Sequence, residues 1–247
     1  MRILFTNDDG YDSVGLHAVA DLFKSEHDIA VVAPSSQRSA ASHSITIGAN
    51  ALKHFEVSDY GYKTYAVSGS PVDCVKTALS LLFPKPDLVI SGINNGRNLG
   101  SDVWYSGTVS AASDAAHLGY RAIALSLDDY QATADDFKLC AEFVKKNIDL
   151  LTAIPLPPKS LLNINFPKGK PIGVKVTKMN TQVTYKDKYV LVGDGAINIE
   201  GSRDFSELSE NNDEYWCARG YVTITPLLLD RTDYTALKAM SEDGFLL

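Results

Sequence analysis

Short apolar runs alternate with amphipathic stretches from residue 2 to residue 151, and this alternation restricts the chain to a layered α/β fold. Residues 2–6 are an apolar run that ends at Asn7-Asp8-Asp9-Gly10. From Ser13 to about Glu26, Val14, Leu16, Val19, Leu22 and Phe23 recur at helical spacing. Ile29 to Ala33 is a second apolar run, stopped by Pro34, and Ile45 to Val67 holds short strand-like pieces. Ser70-Pro71 then starts a helix, with Ser as N-cap, Pro at the first helical position and Asp73 in the first turn. That helix carries Val72, Val75, Leu79 and Leu82 on one face and stops before Pro84. Leu88-Val89-Ile90 is the next strand, and Ser106-Gly107-Thr108 opens a small-residue helix closed at Gly119. A strand over Ala122 to Leu127 and a long amphipathic helix over Ala134 to Leu151 follow. Units of this kind pair their strands in parallel, and right-handed crossovers cover both faces with helices. The expected core is α/β: a Rossmann-like, mostly parallel sheet over residues 1–152.

Pro155-Leu156-Pro157-Pro158 breaks the rhythm, and residues 153–247 turn to a β-rich pattern that completes the fold. Strands are expected at Leu161 to Asn165, Val174 to Val176, Tyr189 to Val192 and Tyr221 to Thr225. The polar stretch Glu200 to Glu214 is expected outside the core. Residues of about 183–197 read as a hairpin turning at Gly193-Asp194-Gly195, and about 233–242 as a terminal helix with Leu237, Met240, Phe245 and Leu246 on its apolar side. A two-stranded arm and a short terminal helix are each marginal unless docked, so both are assigned to contacts between identical subunits.

The net charge of −7 gives no overall pull toward nucleic acid or anionic lipid. No run is long and apolar enough to span a bilayer. Cys74, Cys140 and Cys217 are scattered, with no CxxC pair, which fits reduced thiols in a cytoplasmic protein.

Ligands of open parallel sheets bind beyond the carboxyl ends of the strands. There the sequence delivers Asn7, Asp8 and Asp9, a hydroxyl-rich loop with Ser35, Ser36, Ser39, Ser42, His43 and Ser44, then Ser91, Asn94 and Asn95, and the helix start at Ser106-Gly107-Thr108. Adjacent carboxylates in a cleft repel and resist desolvation. A divalent cation relieves both problems, with neutral Ser and Asn oxygens completing its shell. The amides and hydroxyls at the Ser106 helix start suit a phosphate. Neither a dinucleotide fingerprint, a Walker loop nor a GxSxG elbow is present.

These segments resemble the SurE family of stationary-phase survival proteins. The resemblance rests on Ile3 to Gly10, Val31 to Pro34 with Gln37-Arg38-Ser39, Gly69 to Val75, Asp87 to Gly96, Tyr105 to Ala112, Leu162 to Pro167, Thr223 to Leu227 and Thr232 to Leu237. It implies a metal-dependent 5′-nucleotidase with one Mg²⁺ or Mn²⁺ per subunit held by Asp8, Asp9, Ser39 and Asn95. It also implies a homodimer or homotetramer with exchanged C-terminal elements. Three positions depart from the family habit: Ala40 stands for Gly, Asp114-Ala115 for Glu-Gly, and Ser70 for Thr.

The expected reaction is hydrolysis of nucleoside 5′-monophosphates, with 3′-monophosphates and short polyphosphate as further candidates. Asp8, Asp9, Asn95 and Ser106 take the catalytic roles, and Asn94, Asn95, Ser106, Gly107 and Thr108 the phosphate. Two rivals use the same residues differently: a metal-dependent nucleotide-sugar transferase, which leaves monoesters intact, and a nucleotide-binding module without turnover.

Overall fold

The structure is a computed structural model that describes residues 1–205 and 208–242. Its elements in chain order are β1 (Arg2–Thr6), α1 (Val14–Phe23), β2 (Asp28–Pro34), β3 (His54–Val57), β4 (Lys63–Val67), α2 (Pro71–Thr77), β5 (Leu88–Asn95), α3 (Gly107–His117), β6 (Arg121–Leu127) and α4 (Ala134–Ala153). Then come β7 (Ser160–Phe166), β8 (Gly173–Val176), β9 (Lys188–Leu191), β10 (Ile197–Glu200), α5 (Asp213–Cys217), β11 (Tyr221–Leu228) and α6 (Tyr234–Glu242). Phe245 and Leu246, assigned from sequence to the apolar side of α6, lie outside the described residues.

Nine strands form one sheet in the order β3-β4-β2-β1-β5-β6-β7-β11-β8. The six strands from β4 to β7 run parallel; β3 and β11 are antiparallel to their inner neighbours. Strands from beyond residue 152 therefore extend the same sheet, and the Pro-rich segment is the link from α4 into β7. The alternation along β1 sorts the core into two layers. Ile3 and Phe5 join Leu16, Val19, Phe23, Phe137 and Val144 of α1 and α4 on one face. Leu4 joins Cys74, Val75, Ala111 and Ala115 of α2 and α3 on the other.

Helix starts follow their caps. Ser70 and Asp73 close a capping box at α2, and Thr133 and Asp136 do the same at α4. After Thr77, α2 runs on as a π-helical turn, Ala78–Leu82, before Pro84 ends it. Among the described residues, no helix is long and apolar enough to cross a membrane.

One expectation fails. Glu200 to Glu214 reads as peripheral from its polarity, yet Asn212, Asp213 and Glu214 are buried and the Arg203 side chain nearly so. Their burial is possible because they satisfy one another: Asn212 caps α5, Asp213 accepts the amides of Gly100 and Asn180, and Glu214 accepts from Asn180 and Thr184.

Candidate active site

The chain leaves β1 for β2 on one side, then returns to add β5 on the other, so the strand order reverses at β1. The crevice at the carboxyl ends of β1 and β5 is the place such sheets reserve for ligands. Asp8 and Asp9 follow β1 directly, and Asn94 and Asn95 are the last residues of β5. The register of β5 against β6 slips between Ser91 and Asn94. Gly92 makes the slip possible, since a Cβ there would lie 2.2 Å from the Leu125 carbonyl oxygen.

The turn after β1 is locked by its own residues. Asn7 donates through Nδ2 to the Gly10 carbonyl at 2.9 Å and to Ser13 Oγ at 2.6 Å, and its Oδ1 accepts the Gly10 amide at 3.2 Å. This fixes the two aspartates between α3, β5 and the serine loop. Asp8 is only 4% exposed. Its Oδ1 accepts the Thr108 hydroxyl, while Oδ2 lies beside Gly107 at the start of α3. Asp9 Oδ2 accepts the backbone N–H of Asn95 at 3.0 Å. Burial pushes the Asp8 carboxyl up to about 6, against the Thr108 hydrogen bond and with the Asp9 charge adding to the rise. Burial raises Asp9 too, against its bond from Asn95.

Ser106 is the N-cap of α3: its Oγ accepts the Val109 amide at 2.9 Å. A hydroxyl that accepts through a lone pair keeps its own hydrogen to donate. The amides at the start of α3 lack intrahelical acceptors, as at any helix start. Asn94 donates to the Gly96 carbonyl at 2.8 Å and is half-buried, whereas Asn95, whose backbone amide meets Asp9, is exposed.

The serine loop crosses this crevice. Arg38 donates its amide to the Asp8 carbonyl at 2.7 Å, and Ser42 donates its amide to the Tyr105 carbonyl at 3.0 Å. Ser39 is exposed, and its hydroxyl accepts from Gln37 at 3.0 Å. It rides on the segment pinned to Asp8, with no direct contact to either aspartate given by its hydrogen bonds. Ala40 takes φ 55°, a left-handed conformation that glycine reaches without strain.

The site is thus one crevice for Asp8, Asp9, Asn94, Asn95, Ser106, Gly107 and Thr108, with Ser39 on its rim. Sequence reasoning assigns Thr108 to the phosphate; in the structure its hydroxyl and its backbone amide both meet the Asp8 carboxylate. It also missed the anchors of the serine loop. Asp114 of α3 takes His43 Nε2 at 3.4 Å and Lys76 Nζ at 3.3 Å, and Asp73 accepts both the amide and the hydroxyl of Thr46. A carboxylate in a helix, pointing at the partner helix, was the available signal.

The donor set suits a hard divalent cation. Asp8 is a buried and Asp9 a partly buried carboxylate, and among the described residues their hydrogen-bond partners are the Thr108 hydroxyl and amide and the Asn95 amide, with no cationic side chain. Among the described residues, no group of three or more His, Cys, Asp or Glu offers a competing site.

Comparison with known proteins gives the same family by three routes. The family described as Survival protein SurE matches residues 3–186. The 5'-nucleotidase SurE of Desulfitobacterium hafniense (strain DSM 10664 / DCB-2) is 42% identical, covering 98% of this chain and 96% of its own. That of Pelotomaculum thermopropionicum is 39% identical, covering 98% and 95%. The crystal structure of the SurE protein from Aquifex aeolicus superposes with a TM-score of 0.85 at 33% identity, covering 98% of this chain and 99% of that one. With the family model matching residues 3–186 and relatives 42% and 39% identical over 98% of it, this chain belongs to the SurE family.

Proposed function

We propose that the chain is a divalent-metal-dependent phosphomonoesterase that hydrolyses nucleoside 5′-monophosphates to nucleoside and phosphate. The observation that carries this reading is the buried Asp8 beside Asp9, set against the N-terminus of α3 at the switch point of the sheet. A carboxylate pair asks for a cation, and a helix start asks for an anion; a phosphate bound to a metal satisfies both. The names of the relatives support the same activity.

Asp8, Asp9, Ser39 and Asn95 are the residues to hold the ion. When bound, a divalent ion supplies charge neutralisation at the phosphoryl oxygens and lowers the pKa of water. Thr108 holds Asp8 in one orientation through Oδ1. The Asn95 amide holds Asp9 through Oδ2, which leaves Oδ1 to take a proton from the attacking water. The Ser106 hydroxyl, the Asn95 side chain and the Gly107 amide stabilise the equatorial oxygens, while Thr108 serves Asp8 through its hydroxyl and amide. Asn94 braces the end of β5 through Gly96.

We further infer a homodimer or homotetramer built through the β9–β10 hairpin and α6, and a cytoplasmic setting, which suits Cys74, Cys140 and Cys217 being free and buried.

The test is phosphate release from a panel of nucleoside 5′- and 3′-monophosphates and short polyphosphate, with Mg²⁺ or Mn²⁺ and with chelator. Turnover with metal and its loss in chelator is the expected result. Asp9→Asn lowers turnover by about a hundredfold, since the ion supplies several kcal/mol of transition-state stabilisation. Full activity of Asp9→Asn in chelator, or no release from any nucleotide, overturns the proposal.

A further inference from the structure

Ser106 begins where a short 3₁₀ turn, Gly100–Trp104, ends. The carbonyl of Asp102 in that turn accepts the amides of Tyr105 at 3.1 Å and Ser106 at 3.0 Å. Where Asp102 sits therefore decides where α3 starts. Its side chain is held from far along the chain. Arg203 Nη2 donates to both carboxylate oxygens, at 2.8 and 2.7 Å, and the Tyr185 hydroxyl donates to Oδ1. The Arg203 side chain is 8% exposed, its guanidinium lies 4.0 Å from the centre of the Tyr185 ring, and its Nη1 is 3.4 Å from the buried Glu214. At the other end of the turn, the Gly100 amide donates to Asp213 at 3.0 Å.

Tyr185 and Arg203 also pair with each other in an antiparallel bridge. They are the two feet of the β9–β10 hairpin, which occupies the residues between them. The same two side chains thus root the arm and grip the turn. An exposed ion pair would contribute little here. This one is desolvated and charge-assisted; losing Arg203 leaves the mostly buried carboxylate with the Tyr185 hydroxyl and the longer 3.6 Å contact to Arg97 Nε, short of the two bonds Arg203 gave.

We propose that Arg203 and Tyr185 are positioning residues for the phosphate-binding start of α3. They hold Asp102, and through it Ser106 and the amides behind it, so the seating of the arm is felt at the active site. The proposal rests on the phosphatase reading above.

The test uses the full chain with Arg203→Met, Arg203→Lys and Tyr185→Phe. Three quantities are measured: kcat and KM for a nucleoside 5′-monophosphate, Mn²⁺ affinity by calorimetry, and acrylamide quenching of Trp104, which lies on the turn itself, in a Trp216→Phe background. Misplacing a binding group by about 1 Å costs about a hundredfold in rate. Arg203→Met is therefore expected to lower kcat by about tenfold to a hundredfold, with Mn²⁺ affinity unchanged and Trp104 more readily quenched. Arg203→Lys restores part of the loss, and Tyr185→Phe shows a smaller change in the same direction. If Arg203→Met does not fold, Tyr185→Phe, which lacks a single hydroxyl, carries the test. Wild-type kinetics and quenching in the folded variants overturn the proposal, as does a fall in kcat matched by an equal fall in Mn²⁺ affinity. A wild-type chain that releases no phosphate counts against the function instead, because the quenching still reports whether the turn is held.

Discussion

Gly107 is where the two halves of the site touch. A Cβ at this position would lie 2.8 Å from Asp8 Cβ, 2.9 Å from Asp8 Oδ2 and 3.0 Å from Pro71 Cγ. The absence of a side chain lets α3 approach Asp8 closely, which the proposed function requires if one phosphate is to meet both the helix start and a metal on Asp8. Thr108, the next residue, then reaches Asp8 with its hydroxyl. Gly107→Ala is expected to push Asp8 and α3 apart. Overpacking of this kind costs about 1–3 kcal/mol, and phosphate release should fall further than the stability loss explains. Thermal melts beside kinetics check this; an alanine variant with wild-type turnover would show that the close approach is not needed. Asp8 and Asp9 were legible in the sequence because a doubled carboxylate after a buried strand is a local signal. The Thr108 bond to Asp8 was not, since the partners lie 100 residues apart and only the fold joins them.

At the scale of elements, α2 does two jobs. Asp73 closes its capping box with Ser70 and also accepts the amide and hydroxyl of Thr46. Ser70 in turn donates its hydroxyl to the Ser44 carbonyl at 2.6 Å. The far end of the serine loop is therefore tied to the first turn of a helix. Burial pushes the Asp73 carboxyl up, but the bonds from Thr46 and Ser70 outweigh it and hold the group below its ordinary value. A depressed carboxylate adds stability above its unfolded pKa, near 4, and loses it as the pH falls through the folded value. Asp73→Asn should accordingly destabilise more at pH 7 than at pH 3, as urea titrations at both values would reveal; equal losses would mean that the charge contributes nothing. Helices α1 to α4 and α6 are legible from caps and spacing, because those signals sit within a few residues, whereas the short α5 is not. The sheet order was not, and neither was the burial of Asn212, Asp213 and Glu214. Polar residues look peripheral in sequence unless their partners are known, and here Gly100, Asn180 and Thr184 come from other segments.

Among the described residues, the hairpin and the terminal helix lie apart from the two core layers. The β9–β10 hairpin forms a separate two-stranded sheet. Leu191 faces Ile197 and Tyr189 faces Ile199 across the strands, so these four side chains share one face. They are exposed, Tyr189 to 75% and Leu191 to 77%. Helix α6 also presents exposed Tyr234, Leu237 and Met240. An isolated hairpin is marginal in water, and so is a helix of two or three turns. Exposed apolar faces of this kind are satisfied most simply by an identical subunit, which offers the same faces in return. The feet of the arm grip the turn before Ser106, so the proposed assembly and the proposed active site would share a boundary, although the metal-binding residues proposed above all precede residue 96. Deleting residues 233–247 should therefore yield a monomer or an aggregating chain that still binds Mn²⁺. Light scattering together with metal titration separates the cases. A full-length chain that runs as a monomer at micromolar concentration would mean that the hairpin and α6 fold back on their own core, as would a truncated chain that keeps the full-length mass distribution.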